Sequence, residues 1–293
     1  MELEKSGNSI SHSLFYEYLE ESQCINKWIK EQPIVQDDYL NFFPQWIKQS
    51  NLNKVYGLNR FKNKFISLGT TQTLDWFHYY TKRAGKKLRL LNGEYPYNRD
   101  VTDFNYDEDF VCDYNELSSS DTLIVSLPFS GNGSYPNNFE ELLKICSNKK
   151  VDVLIDCAWF GTCEGLTFNF DFECIIGVTF STTKGLNCGN YRNGIFFTNI
   201  NECGLGLQTE WKHGIHLNTY IGFQLMKKFS PDTIPLTYKF FQLEVCNKLN
   251  LKPTNTMHIA LGESKQWKEY RRDKSDFYRI NIRKSIKKLY NEQ

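Results

Sequence analysis

Side chains that could serve one reaction lie at the ends of two apolar segments between residues 151 and 199. The first segment, VDVLID, ends at a carboxylate, Asp156, and the second runs into the sequence STTK, which ends at Lys184. Arg192 follows shortly after the lysine. A carboxylate can hold the proton of a ring nitrogen, an amine can combine with an aldehyde, and an arginine can bind two oxygens of a phosphate. Together they suit a cofactor that carries these three groups.

The same segments resemble the motifs of a known family. DCAW at 156–159, STTK at 181–184 and GNYRNG at 189–194 follow one another in this order. They resemble the D-x-A-Y, S-x-x-K and R-x-G patterns of the fold-type I pyridoxal-phosphate (PLP) enzymes of aminotransferase class I/II. The resemblance covers about residues 50–200. It implies PLP as the cofactor and a homodimer whose active sites lie at the subunit interface.

The resemblance implies a role for each residue of this set. Lys184 would form the internal aldimine (a Schiff base) with the cofactor and then move a proton at the substrate α-carbon. Asp156 would pair with the pyridine nitrogen and keep it protonated, so that the ring accepts electrons. Ser181 and Arg192 would hold the phosphate.

Two further parts of the family's cofactor site have counterparts earlier in the chain. Gly69, Thr70 and Thr71 begin a predicted helix directly after a predicted strand, where bare amides and hydroxyls can bind phosphate. Tyr95 lies in the sequence EYPY, near the position where the family stacks an aromatic ring on the cofactor. We therefore expect all four residues to contact the cofactor.

The resemblance places two side chains near the cofactor's phenolic oxygen. The loop PFSGNG (128–133) corresponds to the family's N-P-x-G loop in two possible registers. One register gives Ser130 the asparagine's role and the other gives it to Asn132, which we favour because its amide is the donor that the family uses. Trp159 stands where the family has tyrosine, and an indole places its single donor differently.

An arginine near the carboxyl end corresponds to the family's substrate-binding residue. Aminotransferases hold the substrate α-carboxylate with an arginine in an R-I-x-[IL] strand. Arg279 in FYRINI fits this short pattern, and Arg271, Arg272 and Arg283 are nearby alternatives.

Apolar segments that alternate with helical periodicity predict an α/β fold. Strands that are apolar throughout are typical of a mostly parallel sheet covered by helices on both faces. We predict strands at 64–68, 87–91, 122–128, 151–157, 174–181 and 193–199, a helix from 69, and helices at 13–30, 38–49 and 138–148. Beyond 200 we expect helix to about 249, then a helical KQWKEYRRD and a strand in FYRINI. The expected domains are an N-terminal helical segment (1–50), a PLP-binding large domain (51–230) and a reduced C-terminal α+β subdomain (231–293).

Composition excludes several other classes of function. The chain has 293 residues, 40% of them hydrophobic, and a formal net charge of +1, so nothing favours a nucleic-acid or membrane partner. No signal peptide is evident, and the nine cysteines have irregular spacing, which favours free thiols in the cytoplasm. His213-x-x-His216 lacks obvious carboxylate neighbours, so no metal site is predicted.

The sequence thus leads to one function and two alternatives. The first is a PLP-dependent aminotransferase that takes a small-molecule amino donor and a keto acceptor. Trp159 and the short tail leave open a PLP-dependent decarboxylase, lyase or oxidative enzyme. A catalytically inactive relative that binds a partner is the alternative from another class.

Overall fold

The structure is a computed structural model that describes residues 1–201, 203–212, 215–275 and 278–292. His213 of the histidine pair and Phe277 of FYRINI lie outside these residues. None of the helices in the described part of the chain is both long and apolar enough to cross a membrane.

Helices and strands alternate through most of the chain. The helices are α1 (Ser13–Glu21), α2 (Cys24–Glu31), α3 (Gln36–Lys48), α4 (Gly69–Arg83), α5 (Tyr97–Asp100), α6 (Phe139–Lys149), α7 (Thr182–Gly185), α8 (Gly204–Glu210), α9 (His216–Lys228), α10 (Thr233–Leu249) and α11 (Arg283–Asn291). The strands are β1 (Lys54–Tyr56), β2 (Asn63–Ser67), β3 (Lys87–Leu91), β4 (Phe110–Val111), β5 (Asp121–Ser126), β6 (Asp152–Cys157), β7 (Thr167–Asn169), β8 (Ile175–Ser181), β9 (Gly194–Thr198), β10 (Lys252–Pro253), β11 (Ile259–Gly262) and β12 (Tyr278–Asn281).

A seven-stranded sheet forms the centre of the molecule, in the order β2-β9-β8-β6-β5-β3-β4. The strands from β8 to β4 run parallel, whereas β9 is antiparallel to both β8 and β2. The predicted α/β class and mostly parallel sheet are confirmed.

Both faces of this sheet are buried, which explains why its strands are apolar throughout. Along β5, Leu123 and Val125 belong to the larger core cluster, which also contains Leu142 of α6. Ile124 between them belongs to a second cluster with Leu74 and other residues of α4. Alternate side chains of one strand therefore enter different cores, and a polar residue on either face would be buried.

The carboxyl-terminal part forms a smaller unit. Strands β10, β11 and β12 make an antiparallel sheet, and α10 packs against α11. The chain before α1 joins this unit, because Glu4 pairs with Asn281 of β12 through two backbone hydrogen bonds of 2.9 Å. We call residues 4–12 the N-terminal strap.

Local backbone geometry changes two of the predicted helices. The helix predicted over 13–30 is divided into α1 and α2, since Gln23 between them has φ +51°. The segment KQWKEYRRD forms 3₁₀-helix only over Lys265–Tyr270. The cysteines are all free thiols, and eight of them, including Cys157, Cys174 and Cys188, are buried.

Candidate active site

The carboxyl ends of β5, β6 and β8 lie side by side and line one cavity. Ser126 at the end of β5 is paired in register with Asp156 of β6, and β8 ends next to them at Ser181. The cavity has a volume of about 160 Å³, and its wall includes Asp156, Ser181, Lys184 and Arg192. The topology thus brings together residues that are distant in sequence, because parallel strands present their carboxyl ends at one edge.

Hydroxyl and guanidinium donors lie close to a glycine at the start of α4. Gly69 has φ +71°, and a Cβ there would lie 3.3 Å from Nη2 of Arg192, 3.3 Å from Oγ1 of Thr183 and 3.4 Å from Oγ of Ser181. Arg192 reaches this place by donating to Oγ1 of Thr71 at 2.7 Å. An amino-terminal helix turn with hydroxyls and a guanidinium is well suited to hold a phosphate. We call these residues the phosphate cradle.

Asp156 lies at the bottom of the cavity and is 4% exposed. Its Oδ1 accepts a hydrogen bond of 3.0 Å from the amide of Ala158. Burial, and then the nearby charge of Glu94, raise the pKa of Asp156 to about 7, while the hydrogen bond from Thr70 opposes the shift. A cationic N–H group placed beside this buried carboxyl would stabilise its ionised form. A protonated pyridine nitrogen is such a group.

Glu94 is a second buried carboxyl beside Asp156, and sequence reasoning missed it. Its oxygens accept hydrogen bonds from the amide of Ser126 at 2.8 Å, from Oγ of Ser126 at 2.5 Å and from the amide of Tyr95 at 2.7 Å. Burial raises the pKa of Glu94 in spite of these donors and of the charge of Arg272. The glutamate therefore ties the loop after β3 to the end of β5.

Lys184 lies in the short helix α7 directly after β8. Ser181 caps this helix by accepting the amide of Thr183 at 3.0 Å. The Lys184 Nζ donates to Oδ1 of Asn8 in the N-terminal strap at 3.2 Å. Burial, followed by the charges of Arg192, Arg283 and Arg279, lowers the pKa of Lys184 to about 8. An amine with this pKa is a better nucleophile near neutral pH than an ordinary lysine.

Two aromatic side chains line the cavity. Tyr95 lines it, is 40% exposed, and stacks on Tyr97 with ring centroids 5.9 Å apart. Trp159 is buried, with the Arg279 guanidinium 5.3 Å from its ring centroid and His258 against its edge. Both predicted aromatic positions therefore face the place where a planar ring would fit.

The loop after β5 presents Ser130 to the cavity and not Asn132. The Asn132 side chain donates to the carbonyl of Tyr135 at 2.7 Å and accepts the amide of Ser134 at 2.8 Å, so its amide is used within the loop. Ser130 lines the cavity and accepts a hydrogen bond of 2.7 Å from Arg272. This placement is contrary to the register that we favoured from the sequence.

Arg279 is buried behind Trp159 and is absent from the cavity wall. Its Nη1 and Nη2 donate to the carbonyls of Lys5 and Ser6 in the N-terminal strap, at 3.0 and 3.1 Å. The strap thus accepts one N–H from each of the two nitrogens that we expected to bind a substrate carboxylate, and it lies against the guanidinium. Of the alternative arginines, Arg272 lines the cavity.

Several residues of the cavity wall were given no role from the sequence: Gly7, Asn8, Ser126 and Thr183. Ser126 and Thr183 could have been found from their positions beside predicted strand ends. Nothing in the sequence indicates that residues 7 and 8 return to Lys184, because this contact depends on the pairing of the strap with β12. Among the described residues no group of three or more His, Cys, Asp or Glu side chains could hold a metal ion.

Comparison with known proteins identifies the fold. No protein-family model and no curated protein matches the chain. Solved structures that resemble it include the tyrosine aminotransferase of Leishmania infantum, with 11% identity, a TM-score of 0.65, and coverage of 98% of this chain and 91% of that chain. The histidinol-phosphate aminotransferase of Clostridium acetobutylicum has 17% identity, a TM-score of 0.56 and 98% coverage of both chains.

A PLP-bound C-S lyase of Staphylococcus hominis is also similar, with 12% identity, a TM-score of 0.63, and coverage of 92% of this chain and 87% of that chain. These proteins differ in the reaction that their names state, but they share one architecture with this chain. The chain therefore has the fold of the fold-type I PLP-dependent enzymes.

Proposed function

We propose that this protein is a PLP-dependent aminotransferase that acts on an amino acid or a related amine. One observation carries the proposal. Asp156, Lys184 and the phosphate cradle surround a single cavity at the carboxyl edge of a sheet whose architecture matches that of PLP enzymes. An acid for the ring nitrogen, an amine for the aldehyde and donors for the phosphate are the three requirements of this cofactor.

The residues present fit the cofactor. The phosphate cradle leaves a space at Gly69 that even one methyl group would crowd, and its donors come from three separate segments. Burial raises the pKa of Asp156 to about 7, and no cation among the described residues offsets the shift, so a cationic ring nitrogen would stabilise the ionised carboxylate. The side chains of Tyr95 and Trp159 would lie beside the pyridine ring of the cofactor.

In the proposed reaction, PLP would supply an aldehyde that combines with amines and a ring that withdraws electrons from the substrate α-carbon. Asp156 would ionise against the ring nitrogen and hold its proton. The amine of Lys184 would take the proton from the α-carbon and return it, because its lowered pKa leaves part of it unprotonated near neutral pH. Ser181, Thr71 and Arg192 would hold the phosphate.

The first experiment is an absorption spectrum of the purified protein with added PLP, beside the variant Lys184→Ala. We expect the wild type to shift the cofactor's absorption to longer wavelength and the variant to leave the spectrum of free PLP. Lys62→Ala removes an exposed lysine and serves as the matched control. A wild-type spectrum identical to that of free PLP would contradict the proposal and favour a fold that binds a partner without catalysis.

A lyase, decarboxylase or oxidative reaction is the second candidate, supported by the departure at Trp159 and by the C-S lyase among the similar structures. An aminotransferase requires a keto acid to complete its cycle, whereas these enzymes do not. Turnover of amino acids by the cofactor-loaded protein with and without a keto acid therefore separates the two. Turnover without any keto acid would reject the aminotransferase.

A homodimer in the cytoplasm belongs to the same proposal. Arg192 is exposed, and so are Leu68 beside it and Leu207 in the groove between α4 and α8. A second copy that covers this region would also close the phosphate cradle from solvent. Sedimentation at several concentrations tests it, and we expect Leu207→Glu to shift the protein toward the monomer.

A further inference from the structure

We propose that Arg272 binds the carboxylate of the amino-acid substrate, with Ser130 as its anchor, and that Arg279 holds the N-terminal strap instead. This inference rests on the proposed function, since it assigns the substrate's acidic group within the same cavity. It replaces the assignment that the sequence motif favoured.

The first argument is the position of the guanidinium. Arg272 lines the cavity together with Tyr95 and Ser130, whereas Arg279 lies behind Trp159. Nη1 of Arg272 donates to Oγ of Ser130 at 2.7 Å and to its carbonyl at 3.3 Å. These contacts fix one edge of the guanidinium on the cavity wall.

The second argument is the number of donors that remain. Within the described residues, the hydrogen bonds of Arg272 use Nη1 alone, which leaves Nη2 and Nε for a ligand. Arg279 has the opposite arrangement: Nη1 and Nη2 each donate to a strap carbonyl, and the side chain is only 2% exposed and lies off the cavity wall, so its remaining N–H groups do not reach the cavity. A carboxylate needs two parallel donors, and Arg272 has them.

The third argument is charge. Arg272 lies near the carboxylates of Asp273 and Glu94. Asp273 pairs with Arg99 at 2.5 Å, and Glu94 accepts three hydrogen bonds from Ser126 and Tyr95. The glutamate therefore offsets part of the cost of burying the guanidinium without occupying its donors. Two other cations lie on the cavity wall. Arg192 belongs to the phosphate cradle, and Lys184 is the amine that we propose combines with the cofactor's aldehyde.

The test uses propionate, which has a carboxylate and no amine and so binds without reaction. Calorimetric titration of the PLP-treated protein with propionate compares the wild type with Arg272→Gln, Arg279→Gln and Arg271→Gln. Glutamine can still donate to Ser130 but lacks the charge, and Arg271 is the exposed neighbour whose Nε donates to the Ser275 carbonyl.

We expect Arg272→Gln to weaken propionate binding by about ten- to a hundredfold. Arg272→Lys should restore part of the affinity, since it keeps the charge but not the fork. Arg271→Gln should change it by less than about twofold. Circular dichroism and the PLP spectrum of each variant show whether the fold and the cofactor site remain.

Two results would overturn the inference. A loss of propionate binding in Arg279→Gln with normal binding in Arg272→Gln would return the carboxylate to Arg279. Absence of propionate binding in the wild type would remove the site altogether. Failure of the proposed function would give a different result, namely no change in the PLP spectrum that depends on Lys184. The calorimetry measures the effect of Arg272 on propionate binding independently of that spectrum.

Discussion

At the scale of single residues, the lowered pKa of Lys184 makes a prediction that needs no substrate. With a pKa of about 8, roughly a tenth of this amine is unprotonated at neutral pH, against far less than a thousandth at the ordinary value of 10.5. We expect trace acetylation of Lys184 in cofactor-free protein to rise with a midpoint near pH 8, as measured by mass spectrometry. Arg192→Gln should move the midpoint upward, because the arginine's charge is the largest cause after burial. A wild-type midpoint near 10.5 would contradict the buried setting.

Asp156 makes a prediction about stability without cofactor. Its pKa is raised from 3.8 to about 7, so the folded state prefers the protonated carboxyl. This preference contributes fully below pH 3.8 and is lost as the pH rises through about 7, by an amount on the order of 2–4 kcal/mol. Asp156→Asn should therefore flatten the fall of unfolding free energy between about pH 4 and about pH 7, measured in urea. The slope that remains belongs to other groups, Glu94 among them.

The exposed Glu173 provides the control for this measurement. Glu173→Gln should leave the pH slope as it is in the wild type. An equal slope in Asp156→Asn and the wild type would show that the carboxyl of Asp156 is ionised in the folded chain over the whole range.

The sequence predicted those site residues whose position depends on a strand end. Asp156, Ser181 and Lys184 follow apolar strands, and parallel strands necessarily end together. Arg272 was only one of three alternatives to Arg279, and Asn8 was not predicted at all, because no local pattern shows that the strap and the loop before β12 return to the cavity. Asn132 was misplaced for a related reason: its chemistry suited the role, but its side chain is used by the loop itself.

At the scale of elements, the start of α4 tests the phosphate cradle. Gly69→Ala should cost about 1–2 kcal/mol because of the positive φ, and should also weaken binding of inorganic phosphate by about tenfold or more, since the new methyl group fills the cradle. Gly85→Ala is the matched control, since Gly85 has φ +64° with no atom within 4 Å of an added Cβ. It should show the same loss of stability with normal phosphate binding. Equal phosphate affinity in both variants would place the phosphate elsewhere.

The six strands predicted between residues 64 and 199 agree with the structure to within two residues at each end, because burial on both faces makes their central parts mostly apolar. The short strands β1, β4, β7 and β10 were not predicted. The prediction over 87–91 agrees with β3, and that over 174–181 differs from β8 by one residue. The direction of β9 was not predictable, since the sequence of an apolar strand has the same pattern whether its neighbour is parallel or antiparallel. The break between α1 and α2 depends on one residue, Gln23, whose side chain gives no sign of a positive φ.

At the scale of the whole molecule, one buried side chain connects the two ends of the described chain. Asn281 of β12 is fully buried, and its Nδ2 donates to the carbonyls of Ser6 and Asn8 at 3.0 and 2.8 Å. Its Oδ1 accepts the amide of Arg283 at 2.9 Å. The strap that these bonds hold also carries the acceptor for Lys184, so the fold of the smaller unit helps to determine the environment of the Lys184 amine.

We therefore expect Asn281→Ala to have a local and a remote effect. Loss of the amide should lower the unfolding free energy by about 1–3 kcal/mol, because buried carbonyls lose their donor. Hydrogen exchange in residues 4–9 should become faster than in the wild type by more than the loss of global stability explains, while exchange in the buried strand β6 should become faster only in line with that loss. Glu2→Gln breaks an exposed ion pair with Lys284 and should leave both the stability and the exchange in the strap close to those of the wild type. If Asn281→Ala lost stability while residues 4–9 exchanged as slowly as before, the strap would be held by Arg279 and the Glu4 pairing alone, and Asn281 would serve only the packing of the smaller unit.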